Sequence, residues 1–133
     1  MTVLIADNDR AVSGLLTDIL GYAGLTVVHA YDGAEAMGRV REAGVAVVVC
    51  DLDMPKVSGV EVVESMADLP CAPQVLVISG FLDGATERRL RALPYVRDVL
   101  KKPFDLLAFA ARVRALVGGE AAGPAADASA SAG

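Results

Sequence analysis

Two rhythms of apolar positions alternate along the chain. Short runs rich in Val, Ile and Leu occur at Val3–Ala6, Leu25–Ala30, Val45–Cys50, Gln74–Ile78 and Val96–Leu100. The third run, VAVVVC, contains no polar residue, which is the pattern of a strand covered on both faces. The segments between them repeat at helical spacing. Val12, Leu15, Leu16, Ile19 and Ala23 share one face, with Gly24 as a stop. Asp32 and Glu35 have capping-box spacing ahead of Ala36, Met37 and Val40, and Gly44 is the expected end of that helix. Ser58 and Glu61 repeat the device before Val62, Val63 and Met66. A fourth helix over Gly84–Leu93 has a thin apolar face, and a fifth carries Leu106, Phe109, Val113 and Leu116. Five strands alternating with five helices predict a doubly wound α/β sandwich on a five-stranded parallel sheet.

Composition narrows the function classes. The 133 residues are 54% hydrophobic and 22% charged, enough for one packed domain. The predicted body is residues 1–117. Residues 118–133, GGEAAGPAADASASAG, carry no large apolar side chain and are expected to be a disordered tail or the start of a linker. A net charge of −5 supplies no basic stripe for nucleic acid. No apolar run reaches the roughly 18 residues of a membrane span, and the N-terminus lacks a basic leader, so a cytoplasmic protein is expected. Cys50 and Cys71 with the single His29 do not make a typical zinc site. Cys50 reads as a small buried hydrophobe and His29 as an ordinary strand residue.

In a doubly wound sheet, ligands bind outside the carboxyl ends of the strands. The first strand ends in Asp7-Asn8-Asp9, the third in Asp51 followed by Leu52-Asp53, the fourth in Ser79-Gly80 and the fifth in Lys101-Lys102-Pro103. Each signal alone has a plain reading: Asp9 as a helix cap, Ser79 as a turn residue, Lys102 as a solvated charge. Asp51 is harder to dismiss, because a carboxylate directly after VAVVVC suffers desolvation unless a cation or donors meet it. The four ends together make an acidic cluster, a lone carboxylate, a hydroxyl and an ammonium.

The segments VLIADNDRAV, VVVCDLDMPKVSG, VLVISG and VLKKPFD, in that order, resemble the CheY-like receiver domains of bacterial two-component response regulators. The resemblance spans about residues 2–117 and implies the flavodoxin-like strand order 2-1-3-4-5. It implies that Asp51 is the phosphoacceptor, taking a phosphoryl group from a phosphohistidine on a histidine kinase or a phosphotransfer protein. It implies magnesium (Mg2+) held by Asp7, Asn8, Asp51 and the backbone carbonyl of Asp53. Lys102 and Ser79 are implied as the groups that meet the phosphoryl oxygens, and the Lys102–Pro103 bond is implied to be cis. Signal output is implied through the surface of the fourth helix, fifth strand and fifth helix, here Asp83–Val117, to a downstream effector, with homodimer pairing there as an option. Such a domain is a phosphoacceptor that assists its own chemistry, not a turnover enzyme.

Three positions depart from the family pattern. Asn8 stands where a second carboxylate is usual, which predicts weaker Mg2+ binding unless Asp9 reaches in. Val99 replaces the usual aromatic switch residue. Phe81 is bulky beside the site and is expected to hinder water and slow hydrolysis of the acyl phosphate. These departures leave room for a degenerate receiver that acts as an interaction module without phosphorylation. A haloacid-dehalogenase-like phosphatase would also use VVVCDLDM. Against it, Pro55 follows the DxD, the motif lies on the third strand, and no downstream acidic pair exists. A flavodoxin-like cofactor binder lacks a phosphate loop after the first strand.

Overall fold

The computed structural model describes residues 2–42, 44–53 and 58–118. The elements run β1 (Thr2–Ala6), α1 (Arg10–Tyr22), β2 (Thr26–Ala30), α2 (Gly33–Arg39), β3 (Val45–Asp51), α3 (Gly59–Ser65), β4 (Gln74–Ser79), α4 (Gly84–Arg91), β5 (Val96–Lys101) and α5 (Leu106–Val117), with one 3-10 turn at Met66–Asp68. All strand pairings are parallel and the order is β2-β1-β3-β4-β5. This is the expected doubly wound sandwich. Residues 119–133, most of the expected tail, lie outside the described residues.

Alternation along the central strands splits the core into two layers. Val3, Ile5, Val47, Val49, Leu76 and Ile78 pack with α1 and α5, through Leu16, Leu20, Phe109, Val113 and Leu116. Leu4, Ala6, Val48, Cys50, Val75 and Val77 pack with α2, α3 and α4, through Ala36, Val62, Val63 and Leu90. Both faces of β1, β3 and β4 are thus sealed from water, as their unbroken apolar runs require.

Helix ends follow local chemistry. Asp9, Asp32, Ser58, Asp83 and Asp105 each accept a backbone N–H with a side-chain oxygen at the start of α1 to α5. Ser58 and Glu61 form a reciprocal capping box. Glu35 instead accepts from the Tyr31 N–H, one residue before the Asp32 cap. Gly24 closes α1 at φ +84°, with Leu25 N donating to Leu20 O and Gly24 N to Gly21 O. Two expected ends differ. α2 stops at a Val40 cap rather than running to Gly44, having Gly33 and Gly38 among its seven residues. Gly44, at φ +88°, turns the chain into β3, and its carbonyl accepts from Thr2 N. α4 stops at Arg91 rather than Leu93, because the residue before Pro94 is disfavoured in helical conformation.

Register sets the carboxyl edge. Ala6 pairs with Cys50, Asp51 with Ile78, and Ser79 with Lys101. The ladder continues one residue further, with Leu52 N donating to Ile78 O and Lys102 N to Ser79 O. Residues 7, 51, 79 and 102 therefore emerge at one level of the sheet.

Candidate functional site

The carboxyl edge gathers three buried polar side chains, Asp7, Asp51 and Ser79, around one ammonium. Asp51 Oδ2 accepts from Lys102 Nζ at 2.7 Å, and Asp51 Oδ1 accepts from its own loop, the Asp53 N–H, at 2.8 Å. The cation and the donor that a carboxylate after VAVVVC requires are both present. Asp7 is less well served. Its Oδ1 accepts from Asp9 N at 2.9 Å, while Oδ2 is buried without a hydrogen-bond partner and lies 4.0 Å from Lys102 Nζ.

Electrostatics follow from this geometry. Burial pushes the Asp7 carboxyl up to about 6; the Asp9 N–H pulls against that rise and the Asp51 charge adds to it. Burial alone would lower the Lys102 ammonium, yet the Asp51 carboxylate it donates to, with Asp7 and Asp53 nearby, holds it above its usual value. Cys50, directly before Asp51, has its thiol pushed up by burial and then by the Asp51 and Asp7 charges, so it stays an unreactive hydrophobe.

Other predicted site residues take different places. Asn8 is exposed. Asp9 is occupied as the cap of α1, accepting from Ala11 N and Val12 N, so it does not stand in for a second buried carboxylate. The Ser79 hydroxyl donates to Phe81 O at 2.6 Å and accepts from Phe81 N at 3.1 Å, turned toward its own loop. The Phe81 side chain, on the loop directly after Ser79, is 81% exposed. Val99 is buried in the core layer beside α4. The Lys102–Pro103 bond is cis, as expected. Lys101 is exposed, leaving Lys102 as the inward ammonium.

Two contributions were not read from the sequence. A Cβ at Gly59 would overlap the Asp51 carbonyl oxygen and Leu52 Cα, so α3 starts against the backbone of the acceptor loop only because residue 59 has no side chain. A glycine at the first turn of an otherwise good helix was the available signal. The second is the Asp53 side chain, whose Oδ2 accepts from Gly80 N at 3.3 Å and ties the β3–α3 loop to the end of β4.

His29 is more than a strand filler. Its Nδ1 lies 2.7 Å from Ser13 Oγ and its Nε2 2.9 Å from Thr17 Oγ1, under α1. Thr17 donates its hydroxyl to Ser13 O, so it accepts from His29 Nε2–H, leaving Nδ1 to accept from Ser13. Burial, with the Arg39 charge, lowers the His29 pKa.

The comparisons with known proteins bear on this geometry. Residues 3–114 match the family profile described as the response regulator receiver domain. The chain belongs to that family. This receiver is 31% identical over 117 residues to the response regulator RR06 of Streptococcus pneumoniae serotype 2 (strain D39), covering 88% of the chain and 53% of that protein. It spans about half the length of the curated relatives it matches. It is similar to the receiver domain of a Bermanella marisrubri response regulator, with a TM-score of 0.75, 31% identity and coverage of 87% and 97% of the two chains. Its fold also matches that of a Burkholderia pseudomallei response regulator solved with a phosphorylated aspartic acid, a calcium ion and citrate (TM-score 0.71, 23% identity, coverage 86% and 71%). Receivers are two-component signalling domains, and Mg2+ binding is general among them. Among the described residues no helix is long and apolar enough to cross a membrane.

The residues at the edge fit such a cation. Hard divalent ions take oxygen ligands, and Mg2+ keeps several waters. Asp7 Oδ2 is a buried carboxylate oxygen without a partner, next to Asp51. Among the described residues no group of three His, Cys, Asp or Glu side chains gathers around a common point. The set of side chains is therefore sparse: the two carboxylates of Asp7 and Asp51.

Proposed function

We propose that this receiver accepts a phosphoryl group on Asp51 from a phosphohistidine on a histidine kinase or phosphotransfer protein. The observation that carries the reading is the pairing of a buried, Lys102-bound Asp51 with the unsatisfied Asp7 Oδ2. An Asp51 carboxylate oxygen attacks phosphorus, the phosphorus–nitrogen bond breaks, and its electron pair stays on the departing imidazole. Asp7, Asp51, the Asp53 carbonyl and, more weakly, the exposed Asn8 would hold Mg2+, which when bound would neutralise charge between two anions brought together. Lys102 moves from the free carboxylate to the new phosphoryl oxygens as a point charge. Ser79 supports transfer by exchanging its Phe81 partner for a phosphoryl oxygen. The added charge then biases the surface of α4, β5 and α5, Asp83–Val117, toward the form an effector reads. Residues 1–117 act as this unit.

Intact mass after phosphoramidate and Mg2+ tests the reading. One phosphoryl group is expected on the wild type and none on Asp51→Asn. Equal labelling of both would remove Asp51 from the role, and an unlabelled wild type would leave a receiver that works by interaction alone.

A further inference from the structure

The loops after β3 and β4 run side by side because Asp51 pairs with Ile78 and Leu52 N donates to Ile78 O. A group built on Asp51 would lie among four donors at that edge: Lys102 Nζ, the Asp53 N–H, the Ser79 hydroxyl and the Gly80 N–H. A phosphoryl group is acceptor-only and needs such donors to replace its water. The first two donate to Asp51 itself, and the other two are spent on other acceptors. Ser79 donates to Phe81 O, and the Gly80 N–H donates to Asp53 Oδ2. A Cβ added at Gly80 would also meet Asp53 Oδ2 as its neighbour, at 3.8 Å. The Asp53 carboxylate thus occupies, with the charge and acceptor chemistry of a phosphoryl oxygen, a position beside the phosphoryl site. Its backbone is fixed there, because Asp53 N donates to the nucleophile itself.

We propose that the Asp53 side chain is an internal competitor of the phosphoryl group: it holds the Gly80 N–H in the unphosphorylated chain and must withdraw for transfer to complete. This rests on Asp51 being the acceptor. Asp53 is a positioning residue here, acting through the Gly80 amide and through repulsion of the incoming anion. Because the carboxylate is exposed and its bond long, the brake is mild and is set by one hydrogen bond and one screened charge.

The test titrates wild type, Asp53→Ala and Asp53→Asn with beryllofluoride at saturating Mg2+, alongside phosphoramidate labelling rates by intact mass. Asp53→Ala is expected to bind about threefold to tenfold tighter than wild type and to label faster by a similar factor. Asp53→Asn keeps an acceptor for Gly80 and loses the charge, so it falls between. A residue that merely supported the loop would give weaker binding in both variants. Labelling of the wild type with no gain in Asp53→Ala overturns the competition and leaves Asp51 in place. Failure of all three proteins to bind or label overturns the acceptor reading and this one with it.

Discussion

Two polar clusters are set into this sheet, and they treat their hydrogen bonds differently. Under α1, the His29 ring has both nitrogens partnered, by Ser13 and Thr17, and the Thr17 hydroxyl donates its own hydrogen bond to Ser13 O. Tyr31 stacks on the ring at 5.6 Å between centroids, and the Arg10 guanidinium lies 3.9 Å over Tyr31. That cluster is complete without help. At the carboxyl edge, two buried carboxylates share one ammonium, and Asp7 Oδ2 has no hydrogen-bond partner among the described residues. A satisfied buried network specifies packing, whereas an unsatisfied one stores a cost that a ligand can relieve. This difference, rather than residue type, separates the structural histidine from the aspartates proposed for phosphoryl transfer.

Removing the shared cation breaks the contrast most severely. Lys102→Met leaves Asp51 and Asp7 with no nearby ammonium, and the metal-free protein is expected to lose about 3 kcal/mol of stability at pH 7. Urea unfolding with and without Mg2+ measures this; the loss shrinks when the cation is added. Next, Asp7→Asn removes the stored cost. An Asp7 whose pKa rises on folding, from 3.8 to about 6, takes up a proton as the chain folds between those values. Its contribution is fully present below pH 3.8 and is lost as pH rises through 6. At pH 7 without metal, Asp7→Asn is therefore expected to be more stable than wild type by roughly 2 kcal/mol, while its Mg2+ affinity falls. A destabilised variant would mean that the site is satisfied some other way.

The smallest effect belongs to the closed cluster and has the opposite sign. His29 has its pKa lowered on folding, so the fold prefers the neutral ring. Its contribution is full above the usual 6.5 and is lost as pH falls below it. His29→Gln, which keeps a donor and an acceptor without a titrating proton, is expected to flatten the dependence of urea midpoint on pH below 6.5. An unchanged slope would remove His29 from the account.

The fold was legible because its signals are local or periodic. Unbroken runs such as VAVVVC need two covered faces, and Asp32, Ser58 and Gly24 mark helix ends by backbone chemistry alone. What missed the mark was decided by neighbours. Gly44 looked like the stop for α2, yet the glycines within α2 ended it earlier, and Pro94 cut α4 short of Leu93. At the site, residue types at strand ends pointed to Asp7, Asp51, Ser79 and Lys102, because a parallel sheet brings those ends together. Asp9 was legible as a cap, but the sequence carried no sign that the Phe81 ring would face water or that the Asp53 carboxylate would reach Gly80. Those outcomes depend on loop conformation and on which of several acceptors wins each N–H.

The level strand ends have one more consequence. Asp51 and Lys102 meet at 2.7 Å although they are 51 residues apart along the chain. No local segment contains Asp51, its Lys102 partner and the Ser79 hydroxyl, so this cluster does not exist until β1, β3, β4 and β5 have all zipped together. On the proposed acceptor role, phosphoryl uptake would report on global integrity: a damaged or half-assembled molecule would be silent by construction, and a signalling pathway that relied on this edge would be protected from input by misfolded copies.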